Sequence, residues 1–527
     1  MIASDITSDL RRFLRYPLTP EQARAAVRRR LRQRERSFLR LMQHTVYGNP
    51  RSPYRALLQN VGIALGDLTQ LVMRDGLEAT LGHLYESGVH VTPEEFKGRR
   101  PIRRRGLELR IDPHDFDNPL AAGHFVVRTG GSRGPASSVP VDLRRFTHEA
   151  ATTVYAFREG FGLRERPIAA WRGVPPVVSG IKMILSYAKV GLKVERWFAQ
   201  NKLPETPDTA ASIQFTRDLL DAARSLGWPL PEPEYVHQDD AVTIARWLAD
   251  CRAAGRPAQL DTNASSGVRL CLAALDHGLD ISGSFFRLGG EPYTEAKAAV
   301  IHRAGCRAAS HYSSTEAGCI GAACAAPEHV DEVHLLTDKL AVLHRAAAND
   351  PVGSSGEDGA LLITTVLPSV GKIMLNVAIG DCGEIGRRDC GCPLGALGLN
   401  LHAWHLRSYE KITSEGLSYL RGDLVPLVER ILPERFGGNA TDYQLVEVED
   451  GGMPFVEIVV SPRVGPVEVA ALSGAVYDWL RTRPGEQLMA DFWQDANTVR
   501  VVRRAPYATG AAKVLPLHRR VSRRSGG

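Results

Sequence analysis

Between Gly123 and Ser138 a short apolar run, Phe125 to Val127, empties into Thr129-Gly130-Gly131-Ser132-Arg133-Gly134. Backbone N–H groups, two hydroxyls and a guanidinium can all donate hydrogen bonds to phosphate oxygens. The stretch lacks the Gly-Lys-Ser/Thr ending of a P-loop and does not follow the dinucleotide-binding glycine pattern. By itself it is equally a glycine-rich surface turn. Four further stretches carry chemistry-bearing residues. Gly289-Gly290-Glu291-Pro292 precedes a helix-like segment, and Tyr312-Ser313-Ser314-Thr315-Glu316 follows a strand-like one. Asp381 stands in "IGDCGEIG", followed by Arg407, and Lys513 closes "ATGAAK". Only ten of the 65 basic residues are lysines, so a lysine in such a place is not background.

These stretches need a scaffold. The chain has 527 residues, 44% hydrophobic and 24% charged, an ordinary globular composition with length for several domains. From 120 to 380 short apolar runs bounded by glycine ("HFVVRT", "GSFFRLGG", "GALLITTV") alternate with helical segments that end at glycine ("GVRLCLAALDHG", "TEAKAAVIHRAG"). That alternation predicts an α/β domain with mostly parallel strands. Upstream, residues 1–100 read as helical, with an arginine-rich amphipathic helix over about 20–45 and a helix start at Thr92-Pro93-Glu94-Glu95. After about 405 a hairpin across Gly451-Gly452, a helix in "PVEVAALSGAVYDWLRTR" and a strand in "NTVRVVRR" predict a small α+β unit.

In their order along the chain, these motifs resemble the adenylate-forming superfamily, and most closely its phenylacetate–CoA ligase and acyl-protein synthetase branch. The resemblance spans roughly residues 50–515. It implies a large α/β adenylation domain over 1–406, with mixed sheets and helices, and a small mobile α+β lid over 407–527. It implies that Thr129 to Gly134 closes over the β- and γ-phosphates of ATP, with Arg133 where a hydroxyl is usual. Gly289 to Pro292 would line the adenine pocket. Tyr312 would stack on the base, with Ser313 at the family's glycine, Ser314 beside it, Thr315 on the α-phosphate and Glu316 on Mg²⁺. Asp381 would take the ribose hydroxyls, after Ile379 rather than threonine. Arg407 would touch ribose or phosphate, Tyr409 would occupy the hinge, and Lys513 would bridge the substrate carboxylate and ATP. The implied reaction activates a small-molecule carboxylic acid as an acyl-adenylate. A thiol (CoA, a carrier protein or a protein cysteine) or an amine then displaces AMP. The "DTNASSGVRL" and "FFRLGG" regions are expected to supply the acyl pocket.

In the same branch, a Cys…His…Cys-x-Cys set resembles a structural zinc site. Cys324, His334, Cys390 and Cys392 match it, with His329 as a substitute for His334. Three thiolates and an imidazole suit tetrahedral Zn²⁺; unligated buried thiols are the competing reading, and Cys319 and Cys382 read as core residues. Eight cysteines without a secretory leader suggest a cytoplasmic protein with free thiols. No apolar run reaches membrane-spanning length. A net charge of +6 is too mild to imply nucleic acid. A nucleotide-binding scaffold that has lost turnover remains the alternative to an enzyme.

Overall fold

In the computed structural model the described residues run from Ile6 to Arg519, leaving out 99, 129–137, 176–177, 201–206, 238–239, 291, 346–358, 409–411, 415–416, 420–425, 451–452, 483–493, 495–498, 509–513 and 515. The apolar runs assemble into one twelve-stranded sheet. Its strands in chain order are β1 (Ile168–Arg172), β2 (Arg196–Ala199), β3 (Pro233–Tyr235), β4 (Gln259–Asn263), β5 (Phe285–Gly289) and β6 (Arg307–Ser314). The others are β7 (Gly318–Ala323), β8 (Val333–Leu335), β9 (Leu340–Arg345), β10 (Ala360–Thr365), β11 (Val377–Arg387) and β12 (Leu401–Ser408). Their order across the sheet is β9-β10-β11-β12-β8-β7-β6-β5-β4-β1-β2-β3.

The sheet changes character at β6. From β3 to β6 all neighbours are parallel, and every residue of β1 and β4 is buried. Strands covered by helices on both faces carry such unbroken burial. From β6 to β9 every pairing is antiparallel. The expectation of mostly parallel strands therefore holds for only half the sheet. "GALLITTV" shows why: it becomes β10 between two antiparallel partners, and a buried apolar run reads the same in either direction.

Three helices matter below: α1 (Leu143–Ala150), α2 (Ser179–Lys189) and α3 (Glu295–Arg303). The arginine-rich segment is two helices, Pro20–Arg32 and Arg34–Met42, followed by a π-helical turn over Gln43–Tyr47. Ala23 and Val27 pack into a buried apolar cluster; Arg28, Arg29, Arg32, Arg36 and Arg40 stay exposed, while three other arginines find carboxylates. Arg24 pairs with Glu159, Arg30 with Asp338 at 2.7 Å, and Arg34 with Glu78. Thr92 caps a single helical turn, Pro93–Phe96, through a reciprocal capping box with Glu95.

Beyond β12, a four-stranded sheet forms from Tyr443–Asp450, Met453–Val460, Val499–Arg503 and Leu517–Arg519, with the helix Val469–Arg481. The predicted hairpin strands pair in register from Tyr443↔Val460 to Asp450↔Met453. This unit has its own apolar core, including Leu445, Ile458, Leu472 and Leu480. A buried ion pair joins it to α3: Lys297 Nζ lies 2.8 Å from Glu429 Oε1, and the Thr294 hydroxyl donates to the same carboxylate. Among the described residues, no single helix is long and apolar enough to cross a membrane.

Candidate active site

In open α/β sheets, ligands settle in the crevice beyond the carboxyl ends of the parallel strands. Here those ends carry the segments that the sequence singled out. Gly289 ends β5 and lies in register with Asn263 on β4 and His311 on β6. Gly290 adopts φ +82°, a conformation that favours glycine. Pro292 presents its carbonyl to Lys297 Nζ at 2.9 Å.

Tyr312 follows His311. A bulge between Tyr312 and Ser313 turns β6 into its antiparallel partner β7, where Ser313 faces Cys319 and Ser314 faces Gly318. Bulges re-aim side chains and concentrate beside functional sites. Ser313 is exposed and is not among the positive-φ residues, so the backbone at this position does not require glycine. Thr315 and Glu316 form the turn, both half-buried, and the Ala317 N–H closes it by donating to Ser314 Oγ at 3.0 Å.

The turn rests on a buried ionic cluster. Glu149 Oε1, on α1, accepts from Lys339 Nζ at 2.7 Å, the Cys319 N–H at 3.0 Å and Arg145 Nε at 3.2 Å. Arg145 and Lys339 also donate to the carbonyls of Thr315 and Ala317, each at 3.2 Å. Burial pushes the Glu149 carboxyl up, but Lys339, Arg145 and Lys182 outweigh it and hold it far below the usual carboxylate range. Gly318, at φ +78°, has no room for a side chain: a Cβ would lie 2.1 Å from Glu149 Oε1.

Asp381 reaches the same place from β11, 69 residues away. The Tyr312 hydroxyl donates to Asp381 Oδ2 at 2.9 Å. Asp381 pairs with Ser408 on β12, and the neighbouring Cys382 pairs with Arg407. The backbone thus sets Tyr312, Asp381 and Arg407 on strands of one sheet. The side chain of Arg407 lies outside the described residues, as do Thr129 to Gly134, Glu291, Tyr409 and Lys513. Of the glycine loop the structure describes its bracket: Phe125–Arg128 and Ser138–Val141 pair antiparallel, with Arg128 opposite Ser138. The Ala508↔Val514 bridge similarly brackets Lys513.

Sequence reasoning missed a second buried network on the parallel strands. Arg172 donates to Asp261 at 2.8 Å and to Asn263 at 2.6 Å, and Arg287 donates to the other Asp261 oxygen at 2.5 Å. The signal was present as an arginine in each of two otherwise apolar strands, "IAAWR" and "FFRLG", and as a mostly polar strand, "QLDTN", that is buried throughout. Asp261, Asn263 and Arg287 fall within the regions expected to line the acyl pocket.

Cys324, His334, Cys390 and Cys392 also converge, their ligand atoms all within 4.8 Å of one another. Cys324 follows β7, His334 sits on β8, and the other two lie between β11 and β12. His334 Nε2 is 3.1 Å from Cys392 Sγ and 3.5 Å from Cys390 Sγ, while Nδ1 is 2.5 Å from the Leu399 carbonyl. A proton on Nδ1 leaves Nε2 free to face the sulfurs, which is how metal-ligating histidines are oriented. Hydrogen bonding from Cys324, with help from His334, lowers the Cys392 thiol towards its thiolate. The donor set and its burial fit a tetrahedral Zn²⁺. His329 is not in the cluster; it stacks on Trp404 with ring centroids 5.3 Å apart. All eight cysteines are free thiols, with Cys319 buried and Cys382 half-buried.

No protein-family model matches the chain, and no curated protein matches it in sequence. Solved structures do match. The crystal structure of 2-hydroxyisobutyryl-CoA ligase in the postadenylation state, in complex with 2-HIB-AMP, is 14% identical over 95% of this chain and 90% of that one, with a TM-score of 0.53. O-succinylbenzoate coenzyme A synthetase from Bacillus subtilis, with ATP and magnesium ion, is 13% identical over 75% and 70%, with a TM-score of 0.44. An amide bond synthetase from Marinactinospora thermotolerans is 15% identical over 92% of each chain, with a TM-score of 0.41. The first match shows that the chain shares the fold of that ligase over 95% of its length.

Proposed function

We propose that a chain with this fold, and with Tyr312 tied to Asp381 at its carboxyl-end crevice, is an ATP-dependent ligase that activates a carboxylic acid as its acyl-adenylate. The Tyr312–Asp381 hydrogen bond carries the reading. It joins two motifs distant in sequence at the position where one would face the adenine and the other the ribose.

The substrate carboxylate attacks the α-phosphorus of ATP. A carboxyl O–P bond forms as the bond to the β-phosphate oxygen breaks, and pyrophosphate leaves with that electron pair. Bringing two anions together needs positive charge and alignment. We assign Thr129 to Gly134 to the β- and γ-phosphates and Thr315 to the α-phosphate. Arg407 serves ribose or phosphate, and Lys513 the charge that develops as pyrophosphate departs. Magnesium, held by Glu316, would supply charge neutralisation at the phosphates. A thiol such as that of CoA, or an amine, then attacks the acyl carbon and AMP leaves as the mixed anhydride breaks. We assign residues 1–406 to adenylation and 407–527 to a lid that turns between the two half-reactions. We further assign Zn²⁺ to Cys324, His334, Cys390 and Cys392 as a structural ion. It would tie β7 and β8 to the β11–β12 connection, the phenylacetate–CoA ligase-like feature of the chain. Eight cysteines without a disulfide suit a reducing cytoplasm.

The test is ATP–pyrophosphate exchange across a panel of acids. Exchange with at least one acid, abolished by Lys513→Ala, is expected. ATP binding without exchange from any acid would instead identify a nucleotide-binding scaffold.

A further inference from the structure

Resting on that reading, we infer that Lys182 receives a second carboxylate on the acid, so that the substrate class is dicarboxylic acids. Helix α2 is buried at Gly180, Ile181 and every position from Met183 to Lys189. It is pressed against the sheet so closely that a Cβ on Gly180 would lie 2.5 Å from the Trp197 indole. Lys182 alone interrupts this buried run and stays half-open.

The other deep lysines all have partners. Lys189 donates to the carbonyls of Phe13 and Tyr16, and Lys297 pairs with Glu429. Lys339 pairs with Glu149, and Lys372 with Asp117. The backbone carbonyl of Lys182 accepts from Ser186, but among the described residues its ammonium has no hydrogen bond or ion pair. Glu149, the carboxylate whose charge acts on it, is already taken by Lys339, Arg145 and the Cys319 N–H.

A second buried donor is unpartnered within reach of the Lys182 charge. His311 Nδ1 accepts from the Ala323 N–H at 3.0 Å, which puts the ring proton of the neutral imidazole on Nε2. That nitrogen is buried without a partner, in a residue only 7% exposed. Burial, then the charges of Arg287, Arg172 and Lys182, push His311 well down and keep it neutral. Charge points the same way as hydrogen bonding. Arg145, Lys182 and Lys339 share Glu149, while Arg172 and Arg287 share Asp261. Such a buried excess of cations is costly until an anion enters, and a carboxylate offers one oxygen to each waiting donor.

The anion belongs to the acid rather than to ATP. Lys182 projects from a helix packed among apolar residues such as Ile184 and Leu185. His311 immediately precedes Tyr312, opposite Gly289. A chain entering between them would hold its reacting carboxyl towards Thr315 and its far carboxyl towards α2. Burial and Arg145 bring the Lys182 ammonium down to about 8, against the opposing charges of Glu149 and Cys319 and with a further push from Lys339. It is therefore charged at neutral pH and loses its charge just above.

The experiment compares matched acids, adipate with hexanoate and isophthalate with benzoate, by ATP–pyrophosphate exchange. The full-length protein and Lys182→Met and Lys182→Arg variants are used, each checked by thermal unfolding and ATP affinity. The wild type should favour the diacid in kcat/KM. Lys182→Met should raise KM for the diacid by roughly 30-fold or more, the usual cost of removing one partner of a buried charge pair, so that the preference collapses. The diacid KM of the wild type should rise above pH 8, and Lys182→Arg should keep both the preference and a flat KM across that pH. Exchange with the monoacids alone, or an unchanged preference in Lys182→Met, overturns the inference while leaving the ligase reading standing. A rise in KM for ATP instead of for the acid overturns it by placing Lys182 on phosphate. Exchange with neither series, while ATP still binds, overturns this inference, and extension of that result across the whole acid panel sinks the ligase reading as well.

Discussion

Replacing Gly318 by alanine should destabilise this protein far more than the same change at a glycine with open space around it. Two separate terms act. At φ +78° a side chain forces the left-handed region, which costs about 1–2 kcal/mol. The new Cβ would also lie 2.1 Å from Glu149 Oε1 and 2.6 Å from Arg145 Nε. Both belong to a buried cluster whose side chains are 2% and 4% exposed. Breaking a buried ion pair costs roughly 3–5 kcal/mol, so together the terms reach about 4–7 kcal/mol, against a total stability of about 5–15 kcal/mol for a typical domain. Gly227 provides the control: its φ is +76°, yet no atom lies within 4 Å of its would-be Cβ, so Gly227→Ala should show the backbone term alone. Urea unfolding of the two variants measures the difference. A second check is the double variant Gly318→Ala/Glu149→Ala, which should lose less than the sum of its parts because the methyl then fills vacated space. If Gly318→Ala costs no more than Gly227→Ala, the packing of the turn on Glu149 is not as described.

Three other outcomes follow from the site. Tyr312→Phe removes a hydrogen bond to a carboxylate, worth about 1.5–3 kcal/mol; urea unfolding should show a loss of up to that size, and ATP binding in a titration should weaken because Asp381 is no longer held. Metal analysis should find one zinc per chain, lost together with several degrees of melting temperature in Cys392→Ser and on treatment with a strong chelator. The Glu149 carboxyl is depressed in the folded state, so its contribution is present above the unfolded value of about 4.3. It fades as pH falls from there through the folded value, where the unfolded chain binds the proton first. Acid unfolding followed by circular dichroism should begin in that window, and Glu149→Gln should flatten the curve.

What could be read beforehand depended on whether a residue's partner was local. Ser314, Thr315 and Glu316 belong to one short stretch whose order and strand-then-turn context are both visible in the sequence, and the structure places them in one turn. The four zinc-type donors could be picked out by residue type, but the choice of His334 over His329 depends on β8 pairing with β7 and β12, with His334 opposite Ala322 and His402. Arg172 and Arg287 stand in apolar strands, "IAAWR" and "FFRLG", with no carboxylate in either. Each meets Asp261 only because parallel register sets distant segments side by side, 89 and 26 residues apart. The change of strand direction at β6 leaves no mark on composition, since burial selects the same residues either way. Lys182 was visible only as a break in an apolar run; its isolation depends on Glu149 being saturated by groups from α1, β7 and the β8–β9 turn.

The contact between Lys297 and Glu429 bears on how the C-terminal unit can move. Both side chains are almost wholly shielded from water, at 2% and 3% exposure, so partial separation would leave each buried charge without its counter-ion before solvent could reach either. Such an intermediate is the least stable point on the path. The unit should therefore sit firmly docked or fully hydrated at that seam, crossing between the two in a single jump rather than drifting through a continuum of half-open poses.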